Sequence, residues 1–361
     1  MKIGIIGAGQ LGQMLALAGF PLALQFRFLD SSPESPGAQV APIVVGAFDD
    51  IAALRKLAGE VDVVTYEFEN VPVAALHEMA AARPCFPPVD ALRVSQDRIL
   101  EKELFGRLGI PTPPYRAVDT LADLEAGVAA LGLPCVLKTR RLGYDGRGQR
   151  VLKRRSDVGP AWEALGSVPL ILEGFVKFDR EVSIVGARSS RGETRCYPIV
   201  TNTHREGILR VTVAPTRDAR LQRAAEGHLH RVLDHFGYAG VLTIEFFVAG
   251  GRLIANEMAP RVHNSGHWTI EGAVTSQFEN HLRAILGLPL GDTSPVGHAA
   301  MVNYIGTMPD RDRVLALPGA HHHDYGKAPR ANRKLGHCTV VAPTAAQRDA
   351  VLRQLLRRIP R

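Results

Sequence analysis

Over the first 95 residues, short apolar runs alternate with longer stretches in which apolar residues recur at helical spacing. Short apolar runs separated by helical patterns are typical of buried strands with helices between them. The pattern predicts strands at KIGIIG, QFRFLD, PIVVG and VDVVTYEFEN. Because strands that alternate with helices usually form a parallel, helix-covered sheet, we expect a Rossmann-like domain at residues 1–95.

The pattern changes after this domain. A polar helix is predicted at residues 95–108, and the Gly- and Pro-rich segment 109–114 indicates its end and a linker. The strands PCVLKT, RVLK and PLILEGF then predict a small α/β unit at about residues 115–178. We expect this unit to be a lid within a larger domain at residues 96–290.

The rest of the larger domain contains longer apolar strands and one more helix. The strands are predicted at REVSIVGAR, TRCYPIVTN, VLTIEFFV and RLIANE, and the helix at about residues 276–286. A C-terminal region at residues 296–357 shows a few strands and a final basic amphipathic helix. The fold class is therefore α/β throughout, with a small β-rich C-terminal region.

Composition and charge narrow the function classes. The chain is 46% hydrophobic and 22% charged, which indicates a folded globular protein. Its net charge of +7 favours anionic partners. The basic residues are dispersed, however, and no aromatic residues interleave with them, so we expect no nucleic-acid binding. Four cysteines without CxxC spacing indicate neither a zinc site nor disulfides.

Two further segments have a composition that could indicate a metal site and a signal peptide. The run His321, His322 and His323 follows a Pro-Gly turn, and we expect it to be a solvated loop. The apolar N-terminus lacks a basic leader and is interrupted by glycines, so it predicts a strand, a turn and a helix. With no long apolar segment elsewhere, we expect a cytoplasmic protein without membrane spans.

A glycine loop follows the first predicted strand. Residues 7–12, GAGQLG, match GxGxxG, and Asp30 ends the next strand. Such a loop admits a pyrophosphate to a helix N-terminus, with the acid binding a ribose hydroxyl. Two other interpretations stay open at this point. The glycines are also compatible with close packing alone, or with a substrate phosphate at the same helix end.

A second glycine-rich segment, residues 141–149, lies between two strands of the predicted lid. Its hairpin setting resembles a flap that covers phosphates rather than a Walker loop. Arg147 is a possible contact to a triphosphate, and Lys138, which ends the preceding strand, is placed to reach phosphates. An ordinary hairpin with a surface lysine is the alternative for this segment alone.

Two glutamates lie in a predicted hairpin. The strands at 241–248 and 252–257 are joined by Ala-Gly-Gly, and positions symmetric about the second glycine place Glu245 opposite Glu257. Opposed carboxylates in apolar strands need compensation, which a hard divalent cation with oxygen ligands supplies. Asn256 offers another oxygen. The alternative is a pair of solvated glutamates at a sheet edge.

The loop after this hairpin is dense in polar residues. Residues 258–268, MAPRVHNSGHW, contain Arg, His, Asn and Ser next to the predicted metal pair. Loops held by rigid scaffolds carry chemistry. Arg261 can neutralise charge that develops on a transferring phosphoryl group.

Taken in order, these features resemble a known superfamily. The strand lysine, the flap, the EGFV hinge, Glu181 and the carboxylate pair resemble the ATP-grasp superfamily. More narrowly, the motifs GAGQLGQM, DVVTYEFENVP, KTRRLGYDGRGQ and NEMAPRVHNSGHW resemble the N5-carboxyaminoimidazole ribonucleotide synthetase family of purine biosynthesis. The resemblance implies an ATP-grasp fold preceded by a Rossmann-like pre-ATP-grasp domain.

The resemblance also implies roles for individual residues. ATP would contact Arg98, Lys102, Lys138, Gly143, Gly146, Gly148, Gln149, Glu173, Gly174, Phe175, Val176, Glu181, His204 and Asn256. Lys102 and Lys138 would bind phosphates, and Glu245 and Glu257 would hold Mg²⁺, with Mn²⁺ as an alternative. Arg261, His263 and Asn264 would line the carboxyphosphate pocket, over which Tyr144 and Asp145 would close.

The nucleotide substrate would be bound by residues from both ends of the chain, namely Gln10, Leu11, Glu69, Asn70, Lys327, Arg333 and Lys334. The implied reaction is ATP- and bicarbonate-dependent carboxylation of aminoimidazole ribonucleotide through carboxyphosphate. Another ATP-grasp ligase, or a nicotinamide-dependent oxidoreductase based on the glycine loop, is the alternative. This chain has Thr201 and Val262 where family members commonly have glutamate and proline. We expect a homodimer, since symmetric dimers are the commonest assembly.

Overall fold

The N-terminal domain is a parallel sheet with helices on its faces. The computed structural model describes residues 1–143, 146–166 and 168–360. The first strands pair in the order β3-β2-β1-β4, all parallel. Its elements are β1 (Lys2–Ile6), α1 (Gln10–Gly19), β2 (Gln25–Asp30), β3 (Ile43–Val45), α2 (Ile51–Glu60), β4 (Val63–Tyr66), α3 (Val73–Ala82) and α4 (Val89–Ser95).

The single helix predicted at residues 95–108 is wrong in one respect. The helix α4 ends at Ser95, and a new helix, α5 (Arg98–Arg107), begins three residues later. The break occurs at Asp97, whose carboxylate accepts hydrogen bonds from the amides of Ile99 and Leu100. An aspartate in this role caps the start of a helix, so Asp97 sets the direction of α5.

The lid is a separate antiparallel sheet with the strand order β5-β8-β6-β7. Two helices cover one side and enclose a small apolar core. Its elements are β5 (Tyr115–Val118), α6 (Leu121–Leu131), β6 (Cys135–Thr139), β7 (Gln149–Leu152), α7 (Val158–Leu165) and β8 (Leu170–Gly174).

The largest sheet extends through the rest of the chain. Its strands follow the order β14-β13-β9-β11-β12-β15-β17-β16, and β10 pairs with β9. The strands are β9 (Arg180–Arg188), β10 (Thr194–Cys196), β11 (Val200–Arg205), β12 (Ile208–Ala214), β13 (Gly240–Ala249), β14 (Arg252–Ala259), β15 (His298–Ile305), β16 (Ala320–Asp324) and β17 (Lys334–Ala342). The predicted strand TRCYPIVTN is therefore two strands, β10 and β11, and both pair with β9.

Five helices accompany this sheet: α8 (Ala219–His235), α9 (Thr269–Gly272), α10 (Gln277–Ile285), α11 (Arg311–Leu315) and α12 (Ala345–Arg358). The helix predicted at residues 276–286 is confirmed as α10, with Ser276 as its N-cap. None of the helices in the described ranges combines the length and apolar character needed to cross a membrane.

The histidine run is not the solvated loop that we expected. It forms β16, which pairs with β17. His323 stacks on His337 with ring centroids 4.2 Å apart, and its Nε2 lies 2.6 Å from Glu271 Oε1. The histidine run therefore forms a strand, and residues of β17 and α9 provide partners for its backbone and side chains.

One continuous apolar core joins the N-terminal domain to the large sheet, with Phe26 and Phe28 on one side and Trp268 and Phe278 on the other. His281 lies at this junction. Its Nδ1 accepts the amide hydrogen of Val241, and its Nε2 lies 2.9 Å from the Thr65 hydroxyl. Burial lowers the pKa of His281 to about 3, so the ring is neutral. His281 therefore links β4 of the N-terminal domain to the start of β13 in the large sheet.

Candidate functional site

A cavity of about 740 Å³ lies where the N-terminal domain, the lid and the large sheet meet. Its walls come from the glycine loop, the loop after β4, α5, the flap, the β13–β14 hairpin and the segment before β17. The residues predicted for the site that line this cavity are Gln10, Leu11, Glu69, Asn70, Arg98, Gly143, Gly146, Glu245, Glu257, Arg261, His263, Asn264, Lys327, Arg333 and Lys334. Residues from both ends of the chain thus share one space.

Glu245 and Glu257 are directly opposite each other on β13 and β14, as the sequence predicted. The symmetry of the turn alone does not explain this pairing. The turn consists of Gly250 and Gly251, and this turn alone would place Glu245 opposite Asn256. A β-bulge after Glu245 makes Asn256 the extra residue and restores the pairing of the two glutamates.

The pKa values of these two carboxyl groups are shifted in opposite directions. Burial, together with the neighbouring carboxylate of Glu257, raises the pKa of Glu245 to about 7. Burial opposes ionisation of Glu257 as well. Arg98, whose Nη1 lies 3.0 Å from Glu257 Oε2, outweighs this effect and lowers the pKa of Glu257. Two carboxyl groups that resist joint ionisation are typical of a site that a cation completes.

The donor set at this hairpin fits a magnesium ion. Besides the two carboxylates, the side-chain oxygen of Asn256 is buried and has no hydrogen-bond partner among the described residues. Within those ranges, no cluster of three or more His, Cys, Asp or Glu is arranged to hold a metal. Magnesium needs only one or two carboxylates, because substrate phosphates and water complete its shell.

The lid contributes a buried ion-pair triad behind the cavity. Lys138 Nζ lies 2.7 Å from Glu173 Oε2, and Lys102 Nζ lies 3.6 Å from Glu173 Oε1. Burial alone would raise the pKa of Glu173, but the two lysines lower it to about 2. The Glu173 side chain therefore orients the ammonium groups of Lys102 and Lys138. The predicted contact with adenine involves the backbone of Glu173 and not this side chain.

Lys102 is held by backbone carbonyls and by a buried carboxylate. Its side chain is fully buried and lies outside the cavity wall. The ammonium donates to the carbonyl oxygens of Ala255 and Asn256 and pairs with Glu173. These acceptors engage the ammonium group, and the contact of Lys102 with ATP phosphates stays a prediction.

On the large sheet, Glu181 and His204 form a pair on neighbouring strands. His204 Nδ1 lies 2.9 Å from Glu181 Oε2. Burial opposes protonation of the ring, but the hydrogen bond to Glu181 and the charge of Glu245 raise the pKa of His204. His204 therefore holds the carboxylate of Glu181, the side chain that we predict to contact a ribose.

The loop after β14 arranges Arg261 and His263 around the carboxylate pair. Arg261 Nη2 lies 2.9 Å from Glu69 Oε1, and its Nη1 donates to the carbonyl of Val262. His263 Nε2 lies 3.5 Å from Glu245 Oε1. Burial and the charge of Arg261 hold the pKa of His263 well below its usual value, so this imidazole is neutral.

A chain of hydrogen bonds assigns the tautomer of His263. Asn202 donates to Ser183, and the Ser183 hydroxyl donates to Ser265 Oγ. The Ser265 hydroxyl hydrogen is then directed to His263 Nδ1, 2.9 Å away. Nε2 therefore carries the ring proton and faces Glu245, which makes His263 a hydrogen-bond donor to an anion rather than a base.

Asn264 is held by a partner that the sequence patterns did not reveal. Its amide exchanges two hydrogen bonds with the amide of Asn303 on β15, at 3.1 and 2.6 Å. Asn303 also donates to the carbonyl of Leu209. The orientation of Asn264 in the cavity is thus fixed by the C-terminal strands.

At the opposite end of the cavity, two carboxylates hold the glycine loop. Asp30 accepts the amide hydrogen of Ala8 at 2.8 Å, and Glu67 accepts that of Gly9 at 2.7 Å. A Cβ atom on Gly9 would lie 2.6 Å from Glu67 Oε1. Asp30 and two loop amides are therefore already engaged, which disfavours a nicotinamide dinucleotide in the usual position.

The basic wall of the cavity lies beside this loop. Lys327 donates to Gln10 Oε1, and the ring of Tyr325 lies 5.9 Å from its ammonium. Burial and neighbouring cations lower the pKa of Lys327 to about 8. Arg333 and Lys334 line the same wall. Helix α1 starts here, and its N-cap, Gly9, has no side chain to satisfy the amides of its first turn.

Comparison with known families covers nearly the whole chain. A ribonucleotide synthetase pre-ATP-grasp domain matches residues 1–96, and an ATP-grasp domain matches residues 103–278. A phosphoribosylaminoimidazole carboxylase C-terminal domain matches residues 299–351. The fold class predicted from the sequence is confirmed. The exact domain boundaries that we predicted remain a prediction.

Two similar proteins, one from Pseudomonas aeruginosa and one from Thermus thermophilus, have corresponding names. The N5-carboxyaminoimidazole ribonucleotide synthase of Pseudomonas aeruginosa is 54% identical over 340 residues, covering 94% of both chains. The corresponding crystal structure from Thermus thermophilus has a TM-score of 0.96 at 52% identity and covers 99% of both chains. The chain belongs to the N5-carboxyaminoimidazole ribonucleotide synthase family. It is therefore an ATP-grasp ligase, as its motifs indicated.

A third relative bears on ligands. The N5-carboxyaminoimidazole synthase of Aspergillus clavatus, solved with ADP and 5-aminoimidazole ribonucleotide, has a TM-score of 0.93 at 33% identity and covers 99% of this chain and 97% of that one. That relative therefore binds a purine nucleotide and an imidazole ribonucleotide in the same structure.

Several residues predicted for the synthase site lie outside the main cavity wall. These are Lys102, Lys138, Gly148, Gln149, Glu173, Gly174, Phe175, Val176, Glu181, His204 and Asn256. They lie on α5, on the lid, in the segment at and after the end of β8, and on strands β9, β11 and β14 of the large sheet. Their assignment to ATP remains a prediction. Tyr144 and Asp145 lie outside the described residues.

Sequence reasoning missed Glu67, Glu101 and Asn303. Glu67 and Glu101 line the cavity, and Asn303 supports Asn264. Glu67 precedes the predicted Glu69 by two residues in YEFEN, and either was a candidate for the same wall. Glu101 had no signal, because a glutamate in a polar helix is usually solvated.

Proposed function

We propose that this chain carboxylates 5-aminoimidazole ribonucleotide to N5-carboxyaminoimidazole ribonucleotide, using ATP and bicarbonate, in de novo purine biosynthesis. The observation that carries the proposal is the single cavity that joins the Glu245–Glu257 pair to the basic wall at Lys327. A metal-bound phosphate donor and a phosphorylated acceptor both need such anchors, and one shared space allows direct transfer between them.

The donor half would bind ATP between the lid and the large sheet. Lys138, oriented by Glu173, and Arg98, beside Glu257, supply charge for the phosphates. The hinge at Val176 and the pair Glu181–His204 would take the adenosine moiety. Glu245, Glu257 and Asn256 would hold Mg²⁺, or Mn²⁺ in its place. The ion would offset the charge of the phosphates and orient them for attack.

The reaction itself would proceed in two balanced steps. A bicarbonate oxygen attacks the γ-phosphorus, the bond to ADP breaks, and carboxyphosphate forms. The exocyclic amine of the imidazole ribonucleotide then attacks the carboxyl carbon, inorganic phosphate leaves, and the amine loses one proton. Arg261 and the Nε2–H of His263 would stabilise the anionic groups, because both are hydrogen-bond donors at neutral pH.

The acceptor half would hold the ribonucleotide phosphate at the start of α1. The first-turn amides at Gln10 and Leu11, with Lys327, Arg333 and Lys334, form a wall suited to a phosphate monoester. Glu69 and Asn70 line the cavity between this wall and Arg261, near the position expected for the imidazole. The alternative of an oxidoreductase has no support from the loop geometry.

Raising the pH above about 8 is expected to weaken binding of the ribonucleotide. The pKa of Lys327 is lowered to about 8, so its charge is present below that pH and is lost above it. KM for the ribonucleotide should therefore rise on the alkaline side, measured by initial rates at saturating ATP. Lys327→Arg should remove this rise because arginine stays charged. A KM that is flat in the unmodified enzyme from about pH 7 to about pH 9 would contradict the assignment.

Replacing Gly146 with alanine is expected to uncouple ATP hydrolysis from carboxylation. Gly146 has φ +74°, and a Cβ atom there would overlap the carbonyl oxygen of Glu206 in the β11–β12 turn. The flap would then close poorly, and water would hydrolyse carboxyphosphate. The ratio of ADP released to product formed should rise above the value near one expected for the unmodified enzyme.

The control for this variant is Gly159→Ala on the lid helix α7, where no atom other than those of the adjacent residues and the helix's own backbone lies within 4 Å of the added methyl group. Gly159→Ala should keep the ratio of the unmodified enzyme. An unchanged ratio in Gly146→Ala would exclude a role of this flap contact in protecting the intermediate.

Product formation tests the proposed function directly. ADP release should depend on bicarbonate and be stimulated by 5-aminoimidazole ribonucleotide, and a lack of stimulation would exclude this substrate. We also infer a cytoplasmic enzyme that uses small molecules rather than nucleic acid, in keeping with its substrates. The expected homodimer can be tested by light scattering, where a monomeric mass would exclude it.

A further inference from the structure

Helix α5 contacts the metal-binding bulge through three side chains of different chemistry. Arg98 pairs with the Glu257 carboxylate, Lys102 donates to backbone carbonyls, and Glu101 accepts a backbone amide. We propose that Lys102 and Glu101 are positioning residues that hold the β14 bulge in the register required for the divalent cation. This proposal rests on the proposed function and adds a role that neither residue had in it.

The contacts of Lys102 concentrate on the bulge itself. Its ammonium donates to the carbonyl oxygen of Asn256, the extra residue, and to that of Ala255, 3.4 Å away. A bulge interrupts the ladder of hydrogen bonds and leaves the inserted residue without its regular partners. Lys102 supplies a charge-assisted partner at that point. The side chain is fully buried, so water does not compete for these carbonyls.

Glu101 fixes the other side of the same turn of backbone. Its Oε1 accepts the amide hydrogen of Met258 at 2.7 Å, and the residue is 1% exposed. The backbone is thereby held immediately before and after Glu257. A slip of one residue would direct the Glu257 side chain to the opposite face of the sheet, because side chains alternate along a strand. The two contacts of α5 oppose such a slip.

The same helix connects the bulge to the lid. Lys102 shares Glu173 with Lys138 of strand β6. At the start of α5, Asp97 pairs with Arg140 at 2.7 Å, and the amide of Arg98 donates to the carbonyl of Arg140. Cation ligands and lid therefore share one rigid support. A change in α5 should affect how the metal is held without removing any ligand.

The test compares Lys102→Met with Lys56→Met, an exposed lysine on the distant helix α2. Binding of Mn²⁺ to the enzyme saturated with ADP is measured by electron paramagnetic resonance, and hydrogen exchange of the Met258 amide is followed without ligands. Lys102→Met should weaken Mn²⁺ binding about 10- to 100-fold, the range typical of residues that support metal ligands. It should also accelerate exchange at Met258, while Lys56→Met changes neither.

The result that would overturn the proposal is equally specific. If Lys102→Met binds Mn²⁺ normally but binds metal-free ADP more weakly, Lys102 is a nucleotide contact and not a positioning residue. Should that variant fail to fold, Glu101→Met and Glu101→Gln provide a second test. Glutamine keeps an acceptor for the Met258 amide, whereas methionine removes it. Only Glu101→Met should weaken Mn²⁺ binding, and normal binding in it would overturn the proposal.

These measurements are separate from the proposed function. Mn²⁺ affinity and amide exchange require no turnover, so they test the positioning role even if the acceptor substrate is a different one. Conversely, an unmodified enzyme that forms no carboxylated product would refute the proposed function and leave the metal measurements valid.

Discussion

Glu257→Gln is expected to lower the rate of ADP release about 10²- to 10³-fold, the loss usually caused by removing one group that stabilises a charged transition state. Glutamine keeps the size of the side chain but removes one of the two negative charges proposed to hold the cation. Arg98 would also lose its ion-pair partner, which lies 3.0 Å away. Initial rates across a Mg²⁺ titration should show both a lower maximum and a higher half-saturating concentration.

The matched control for this variant is Glu125→Gln on the exposed face of the lid helix α6. It removes the same charge at a distance from the cavity and should keep full activity. Circular dichroism and thermal unfolding would show that Glu257→Gln is folded. A folded Glu257→Gln enzyme with the activity of the unmodified protein would refute the metal role of this carboxylate.

Arg261→Met should reduce kcat about 10²- to 10³-fold with a smaller change in KM for ATP. Its guanidinium lies at the cavity wall and is held by Glu69 and by the carbonyl of Val262. A preoriented cation of this kind acts mainly on charge that develops during phosphoryl transfer. Steady-state rates at saturating bicarbonate and ribonucleotide would separate kcat from KM.

Two other variants test whether the effect of Arg261→Met comes from the guanidinium group: Arg261→Lys and the surface control Arg252→Met. Lysine restores the charge without the planar fork, so it should recover only part of the lost rate. Arg252 is exposed at the start of β14, and its replacement should have no effect. A change confined to KM for ATP in Arg261→Met would place the guanidinium in ground-state binding and contradict the proposed role.

Local patterns were sufficient to predict the fold class and the central carboxylate pair. The strand and helix alternation predicted the parallel sheet, and the Gly-Gly turn predicted the hairpin with Glu245 opposite Glu257. The symmetry argument did not locate the bulge that produces this pairing, because a bulge leaves no periodic signal in the sequence. The resemblance, rather than periodicity, supplied the nucleotide and acceptor assignments.

The contacts of buried polar side chains could not be predicted from local patterns. Lys102 was predicted to contact phosphates, and the backbone carbonyls to which it donates lie 153 and 154 residues away, on β14. Asn264 depends on Asn303, and the proton position on His263 depends, through Ser265, on Ser183 of the distant strand β9. Sequence spacing reports the periodicity of single elements. It does not report which long-range partner takes up the donors of a buried side chain.

We propose that bicarbonate is phosphorylated in the cavity before its carboxyl group reaches the ribonucleotide. Turnover of ¹⁸O-labelled bicarbonate with ATP and 5-aminoimidazole ribonucleotide, followed by mass analysis of the inorganic phosphate, tests this claim most directly. We predict one ¹⁸O atom in the phosphate for each carboxylated product, because the bridging oxygen of carboxyphosphate leaves with phosphorus. Phosphate without ¹⁸O, formed alongside carboxylated product, would contradict it.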